Sequence, residues 1–409
     1  MIAAADLRQV DDAVVLIDDE PVGRLTRTAG DDVEFHYAGE WVDEHRSGRR
    51  NSVAWTLPVD GTYPVTYSGG AVPPFFAGLL PEGVRLGAVV SATKTSPDDH
   101  LTLLLAVGGD AIGNVRVVPA GSEIIDPTAM FDPRDHRDFR RLFDRMATSS
   151  DADPFALPGV QPKVSAAMWS VPTSTASGPA ILKLTPPSGF PRLVENEHFF
   201  LRMAAGCGLA VPRQELLHDD AGRSALLVRR FDRANGRRIP QEDACQVAGL
   251  YPASKYRMKS ETAVEVLAEA CVRGGGSRLA AVREFLRMII FSWLIGNGDL
   301  HGKNLSIHAP DGVWMPTPAY DLVTTQPYTG WRDPMAMNLY SRANRLRRRD
   351  FIDAGGRWGL GEAVVTRLID QLLDRAEPWV ERIGEIGFGE RDTERLVELI
   401  GKRIRGLRA

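Results

Sequence analysis

The 409-residue sequence predicts an α+β protein that is rich in strands in its first half and mostly helical in its second. Residues 14–17, 22–25 and 33–37 combine β-branched or aromatic residues with neighbouring turn signals, which is typical of strands, and Asp18-Asp19-Glu20-Pro21 predicts the turn between the first two. Apolar residues with a spacing of about 3.6 indicate helices at 262–273, 279–294 and 363–386, and the acidic residues of 241–243 with the apolar residues after them predict the start of a further helix. The two patterns together place a sheet-containing part before a helical part.

Composition and charge exclude some classes of protein. Hydrophobic residues make up 44% and charged residues 25% of the chain, and the formal net charge is −4, which argues against a surface dominated by nucleic-acid contacts. The spacing of Cys207, Cys245 and Cys271 is not that of metal ligands or redox pairs, so we expect reduced, buried thiols. We find no signal peptide and no apolar run of about 20 residues, and therefore expect a cytoplasmic protein without a membrane span.

Changes in composition divide the chain into four predicted parts. Residues 1–120 form a β-rich part, 121–154 a polar linker, 155–240 a nucleotide-binding part with strands, and 241–409 a helical part. Within the first part, the apolar segments 73–83 and 103–113 each predict a helix. Neither segment shows an evident catalytic side chain, so we expect both to serve packing.

Three polar residues, Asp299, His301 and Asn304, follow an apolar helix pattern and precede a predicted strand at 305–307. The spacing Asp-x-x-x-x-Asn is that of phosphoryl-transfer catalytic loops, in which Asp takes the proton of the acceptor hydroxyl and Asn binds Mg²⁺. Asp321, seventeen residues after Asn304, supplies a second carboxylate. Because Mg²⁺ needs few oxygen ligands from the protein, Asn304 and Asp321 suffice.

A lysine inside an apolar strand pattern indicates the same chemistry. Lys183 lies within 180–184, which otherwise predicts a buried strand, and a buried ammonium group needs an anionic partner. The next predicted helix offers Glu195 or Glu197. Kinases place a strand lysine at the ATP phosphates and pair it with a helix glutamate. The glycine-and-lysine turn at 159–163, this lysine and the later Asp loop follow one another in the kinase order.

Other functional classes are compatible with parts of this pattern. A small-molecule phosphotransferase would use the same residues, since the Asp-Leu-His-x-x-Asn loop also resembles that of aminoglycoside and choline kinases, and an acidic cleft for a cationic acceptor would favour it. A non-catalytic, kinase-shaped repressor partner would not need the intact set Lys183, Asp299, Asn304 and Asp321. A metallohydrolase built on Asp299, His301 and His308 would leave Lys183 without a role. We favour ATP-dependent phosphoryl transfer with Asp299 as the base.

Most of the chain resembles the HipA family of serine/threonine kinases, the toxins of bacterial toxin–antitoxin modules. The motifs that carry the resemblance are Phe75-Phe76-x-x-Leu-Leu-Pro-Glu-Gly83, residues 108–113, Gly159-Val-Gln-Pro-Lys163, Ile181-Leu-Lys183-Leu, Glu195-Asn-Glu197, Arg230-Phe-Asp-Arg233, Gln241-Glu-Asp243, Lys255-Tyr256, Gly296-Asn-Gly-Asp-Leu-His-Gly-Lys-Asn304 and Pro318-Ala-Tyr-Asp321. Each motif is weak alone, but their common order is specific. The resemblance implies a two-lobed protein-kinase-like fold with an N-terminal β-rich subdomain and a mostly helical C-terminal lobe.

The resemblance also implies roles for individual residues. Asp299 is the expected catalytic base, Asn304 and Asp321 are the expected Mg²⁺ ligands, and Glu197 is expected to support Lys183. The ATP-binding residues that the resemblance implies are Gly159, Val160, Gln161, Lys163, Lys183, Arg229, Arg230, Phe231, His301, Lys303 and Tyr320.

Cofactors and partners follow from the same resemblance. It implies ATP and Mg²⁺ as cofactors, a HipB-like helix-turn-helix antitoxin through which DNA is contacted, and a protein substrate, typically an aminoacyl-tRNA synthetase. Family members that inactivate themselves phosphorylate a serine three residues before the phosphate-loop glycine. That position is Ala156 in this sequence, so we expect no phosphate there; Ser149, Ser150 or Ser165 could substitute.

Overall fold

The computed structural model describes residues 2–46, 52–122, 133, 138–148, 168–175, 178–186 and 188–409. The predicted phosphate loop with Gly159, Val160, Gln161 and Lys163 lies outside the described residues, as do Ala156, Ser149, Ser150 and Ser165.

The described residues form an α+β fold. The strands are β1 (Asp12–Ile17), β2 (Glu20–Arg27), β3 (Val33–Tyr37), β4 (Val65–Tyr67), β5 (Val115–Pro119), β6 (Trp169–Thr175), β7 (Gly178–Leu184), β8 (Gln214–His218), β9 (Ser224–Arg229), β10 (Arg233–Ala234), β11 (Arg237–Arg238), β12 (Gln241–Asp243), β13 (Ser306–His308) and β14 (Met315–Pro316). The helices are α1 (Gly39–Arg46), α2 (Pro74–Gly78), α3 (Gly83–Thr93), α4 (His100–Val107), α5 (Phe139–Thr148), α6 (Leu193–Gly206), α7 (Ala244–Val247), α8 (Ser260–Arg273), α9 (Arg278–Ile295), α10 (Arg348–Arg357), α11 (Glu362–Val380) and α12 (Glu390–Arg408).

The first sheet, with strand order β4-β3-β2-β1-β5, and the helices α1–α4 are called the N-terminal unit below. β1 and β2 are joined by Asp18 and Asp19, whose φ angles of 49° and 66° are those of a two-residue type I′ hairpin turn. We expected Glu20 and Pro21 in this turn, but they begin β2. The register shifts opposite Leu16, where a bulge accommodates a proline that has no N–H to donate.

The second sheet, with strand order β6-β7-β9-β8, forms the N-lobe together with α6. Because strand side chains alternate between the two faces, Ala180, Leu182 and Leu184 of β7 pack in a core with α3 and α5. Ile181 and Lys183 point to the opposite face and line a cavity. β7 is a central strand, so Lys183 is not an exposed edge-strand lysine.

Helix α5 lies in the range that we expected to be a linker. Its apolar residues Phe139, Leu142 and Phe143 are buried against the N-lobe sheet. They have the i, i+3, i+4 spacing of one helix face. The many arginine and aspartate residues nearby concealed this short pattern in the sequence.

The third part, called the C-lobe, contains α7–α12 and the small sheet β12-β13-β14. The predicted helix 279–294 is confirmed as α9, which ends at Gly296 in the left-handed conformation (φ 76°) and leads into the polar loop. Residues 241–243, which we expected to open a helix, instead pair with β13, and α7 begins only after them. The predicted helix 363–386 ends earlier, at Val380.

Two further expectations concern the cysteines and the membrane. Cys207, Cys245 and Cys271 are free and buried, as expected. Among the helices that the structure describes, none combines the length and the apolar character required to cross a membrane.

Candidate active site

A cavity lies where the N-terminal unit, the N-lobe and the C-lobe meet. The N-lobe and the segment after β9 contribute Ile181, Lys183, Glu197 and residues 228–232 to its lining, and the C-lobe contributes His301, Lys303, Asn304, Tyr320 and Asp321. All the predicted site residues that the structure describes line this cavity, except Asp299. The fold therefore brings together predicted site residues as far apart in the sequence as Lys183 and Asp321, which are separated by 138 positions.

Lys183 forms the ion pair that the sequence predicted. Its Nζ donates to Glu197 Oε1 at 2.7 Å and also to Asp321 Oδ1. Burial opposes the charge of the ammonium group, but Asp321 and Glu197 together raise the pKa of Lys183 above its usual value. The alternative partner, Glu195, accepts hydrogen bonds from Ser224 and Arg192 instead.

The two predicted metal ligands lie within hydrogen-bond distance of each other. Asn304 Nδ2 donates to Asp321 Oδ2 at 3.2 Å, and Asn304 Oδ1 accepts from the main-chain N–H of His301 at 3.0 Å. Asp321 has a positive φ of 53°, and its side chain is 28% exposed. The amide nitrogen of Asn304 thus faces Asp321, while its amide oxygen is occupied by His301. A carboxylate and a carboxamide lie side by side in the cavity wall, and both are side-chain types that a small divalent cation accepts as ligands.

Asp299 is buried beside the cavity rather than in its lining. Its Oδ1 accepts a hydrogen bond from the hydroxyl group of Tyr256 at 2.8 Å, and its main-chain N–H donates to Asn297 Oδ1 at 2.9 Å. The sequence placed Asp299, His301 and Asn304 on one loop, and the structure shows that only the latter two reach the cavity directly.

His301 is buried, with its ring packed edge-on against Tyr256 at a centroid distance of 5.0 Å. Burial, reinforced by the positive charge of Lys255, lowers the pKa of His301 to about 4. The imidazole is therefore neutral near pH 7. It can offer hydrogen bonds to a phosphate but no charge.

Lys303 and Tyr320 are held by protein groups. Lys303 Nζ donates to the carbonyl oxygen of Gly78 at 2.9 Å and lies 3.3 Å from Glu82 Oε1. The Tyr320 hydroxyl donates to the carbonyl oxygen of Lys303 at 2.7 Å and also contacts Ser306. The charge of Lys303 is thus partly neutralised by the N-terminal unit.

Residues 229–231, for which the resemblance implies ATP binding, lie at the end of β9 and directly after it, and they are called the hinge below. Phe231 packs against the ring of Tyr320 with centroids 5.9 Å apart. The guanidinium group of Arg230 is buried and donates to Asp232 at 2.7 Å and to Asp110 at 2.9 Å. Because this side chain is fully engaged, the predicted ATP contact of Arg230 is restricted to its main chain.

Sequence reasoning missed the wall that the N-terminal unit contributes. Residues 78–82, Arg85 and residues 110–112 line the cavity. We expected segments 73–83 and 103–113 to serve packing alone, and this was wrong for their ends. The sequence signal for a role in the cavity was weak. It consists of Pro81-Glu82-Gly83, which places a charged residue directly after an apolar run and at a helix start.

Comparisons with known proteins agree with this architecture. A model of the HipA-like C-terminal domain matches residues 155–380, and a model of the HipA N-terminal domain matches residues 13–118. The putative kinase Y4mE of Sinorhizobium fredii is 31% identical over 392 residues, which cover 89% of this chain and 90% of the relative. The serine/threonine-protein kinase toxin HipA of Shewanella oneidensis is 28% identical over 351 residues, covering 78% and 76% of the two chains.

Among solved structures, the complex of Shewanella oneidensis HipA, HipB and operator DNA contains a chain with the same fold. The TM-score is 0.75, the identity is 21%, and the match covers 96% of this chain and 95% of that chain. This likeness confirms the expected two-lobed kinase-like fold. The family models, which match both parts of the sequence, lead to one conclusion: the chain belongs to the HipA family.

Proposed function

We propose that this protein is an ATP-dependent serine/threonine protein kinase, the toxin of a toxin–antitoxin module. It transfers the γ-phosphoryl group of ATP to a hydroxyl group of a protein substrate. The single observation that carries the proposal is the position of Lys183, which pairs with Glu197 on one side and with Asp321 on the other. A lysine held between a helix carboxylate and a metal-ligand carboxylate is the phosphate-binding arrangement of kinases.

The residues around Asp321 fit the metal that this chemistry needs. Asn304 and Asp321 would hold Mg²⁺, because the carboxamide and the carboxylate lie side by side and Mg²⁺ fills its other positions with water and phosphate oxygens. Bound there, Mg²⁺ would neutralise charge on the β- and γ-phosphates. Lys183 would contact the phosphates, and the hinge would bind the adenine through its main chain.

Asp299 would accept the proton of the attacking hydroxyl. Its carboxylate is fixed by the hydrogen bond from Tyr256 and lies five residues before Asn304 on the same short loop. Transfer would then depend on positioning and on charge neutralisation, which supply most of the catalysis in phosphoryl transfer.

The proposed partner is a HipB-type DNA-binding antitoxin. Two observations support it: the HipA relative of Shewanella oneidensis is described as a toxin, and the HipA chain with the same fold was solved with HipB and operator DNA. A translation-related protein such as an aminoacyl-tRNA synthetase is the proposed substrate class.

The decisive experiment is transfer of label from γ-labelled Mg·ATP to proteins of a cell lysate, followed by phosphoamino-acid analysis. We expect a labelled protein that contains phosphoserine or phosphothreonine. Asp299→Asn should lower the transfer rate about a hundredfold to ten-thousandfold, the usual contribution of a general base, while ATP affinity stays near that of the wild type.

The matched control is Asp311→Asn, which removes a carboxylate from an exposed turn of the C-lobe. It should transfer label at the wild-type rate. Wild-type protein that binds Mg·ATP but labels only small molecules would contradict the protein-kinase proposal. Full turnover by Asp299→Asn would show that the base is a different residue.

A further inference from the structure

Helix α3 of the N-terminal unit projects its first residues into the cavity. Val84 and Ala88 are buried in the core that α3 shares with the N-lobe sheet. Glu82 and Arg85 lie on the side of the helix start that lines the cavity. Since residues three apart on a helix are neighbours, the two charged side chains emerge close together.

Glu82 fixes this helix start to the C-lobe. Its carboxylate accepts a hydrogen bond from Lys255, and its Oε1 lies 3.3 Å from Lys303 Nζ. Burial opposes its ionisation, but Lys303 and Lys255 lower the pKa of Glu82 to about 2. The helix start is therefore held on both sides of the cavity, by apolar packing on the N-lobe and by ion pairs on the C-lobe.

Arg85 has no comparable partner. Its guanidinium group makes no hydrogen bond or ion pair with any residue that the structure describes, although it lines the cavity. The charge of Asp110 acts favourably on Arg85, but this carboxylate already accepts from Arg230 and Arg233 at 2.9 Å each and from Arg238 at 3.3 Å. Burial, together with repulsion from Arg230, lowers the pKa of Arg85.

A partly buried, unpaired cation is unfavourable unless a ligand supplies the missing negative charge. Arginine presents a planar set of N–H donors that matches a phosphate group. We propose that Arg85 binds a phosphate group of the nucleotide, so that the nucleotide site is completed by a residue of the N-terminal unit. The inference rests on the proposed function, because it requires ATP in this cavity.

The test compares three ligands and two matched variants in the full-length protein. Arg85→Gln and Lys94→Gln each remove one positive charge from α3, but Lys94 is exposed at the far end of the helix. Dissociation constants for ATP, ADP and adenosine are measured by calorimetry. For Arg85→Gln we expect ATP affinity to fall about tenfold to a hundredfold, as for loss of a charged hydrogen bond, and adenosine affinity to stay within about twofold.

Lys94→Gln should leave all three dissociation constants unchanged. Without ligand, Arg85→Gln should melt no lower than the wild type, since the guanidinium group makes no hydrogen bond or ion pair with the described residues and its charge is unfavourable there. Equal losses for ATP and adenosine, or no loss of ATP affinity, would overturn the inference while the proposed function stands. Wild-type protein that binds no nucleotide would overturn both.

Discussion

Tyr256 holds the carboxylate that we propose as the catalytic base. Its hydroxyl group donates to Asp299 at 2.8 Å, and its ring rests edge-on against His301. A base works only when its oxygen is directed at the acceptor proton. Tyr256 is therefore a positioning residue that fixes the orientation of Asp299 from outside the cavity lining.

Tyr256→Phe keeps the ring and removes only the hydroxyl group. We expect kcat to fall about tenfold, because a net hydrogen bond of about 1–1.5 kcal/mol no longer orients the base, while the KM for ATP is unchanged. Steady-state kinetics at varied ATP concentration measures both. Tyr251→Phe, which removes a hydroxyl bonded to the carbonyl oxygen of Val72, is the control and should keep the wild-type kcat. An unchanged kcat in Tyr256→Phe would refute the positioning role.

At the scale of secondary-structure elements, Asn196 connects the helix that carries Glu197 with the segment that carries Asp321. Asn196 is fully buried in α6; its Nδ2 donates to the carbonyl oxygen of Thr324 at 2.9 Å, and its Oδ1 accepts from the N–H of Thr324 at 3.0 Å. Asn196 directly precedes Glu197, and Thr324 lies three residues after Asp321. The two hydrogen bonds between Asn196 and Thr324 therefore fix the positions of the two carboxylates that pair with Lys183.

Asn196→Ala leaves the N–H and C=O groups of Thr324 buried without partners. We expect the free energy of unfolding to fall by about 3 kcal/mol, since each unsatisfied buried group costs about 1–3 kcal/mol. Urea unfolding followed by circular dichroism measures the change. Arg202→Ala, on the same helix, loses a surface ion pair with Glu385 and a contact with the ring of Trp379, and should cost less than about 2 kcal/mol. Equal effects of the two changes would contradict the buried connection.

The elements that could be predicted from the sequence are those with long, regular patterns. The apolar residues of β7 and α9 follow the patterns of a buried strand and a helix, so both elements could be predicted. Lys183 could be identified as a site residue because a charged group in an apolar strand needs an oppositely charged partner. Arg85 could not be predicted as a site residue, because its role depends on where α3 docks. Short pieces such as α5 and β12 were missed because a few apolar residues carry too little periodic signal.

At the scale of the whole molecule, a buried carboxylate lies between the N-terminal unit and the C-lobe. Glu242 Oε1 accepts a hydrogen bond from the main-chain N–H of Trp55 at 2.9 Å. The ring of Trp55 packs against Trp314 at 5.4 Å and beneath the guanidinium group of Arg273 at 4.7 Å. Burial raises the pKa of Glu242 from 4.5 to about 8.

This shift predicts how stability depends on pH. Between pH 4.5 and about 8 the folded state holds a proton on Glu242 that the unfolded chain has released, so the free energy of unfolding falls as the pH rises through this range. Glu242→Gln removes this titration. We expect the variant to gain stability over the wild type as the pH rises, by up to about 5 kcal/mol above pH 8. Urea unfolding at pH 5, 7 and 8.5 checks it; a difference that does not change with pH would disprove the assignment.

The double attachment of α3, by apolar packing to one lobe and through Glu82 to the other, has a consequence for turnover. In a kinase that consists of two lobes alone, ADP leaves when the lobes rotate apart at the hinge. Here the same rotation must either separate Glu82 from its lysines or lift α3 off the sheet. A partner protein that binds the outer surface of the N-terminal unit and opposes this rotation would therefore slow ADP release without contacting the nucleotide.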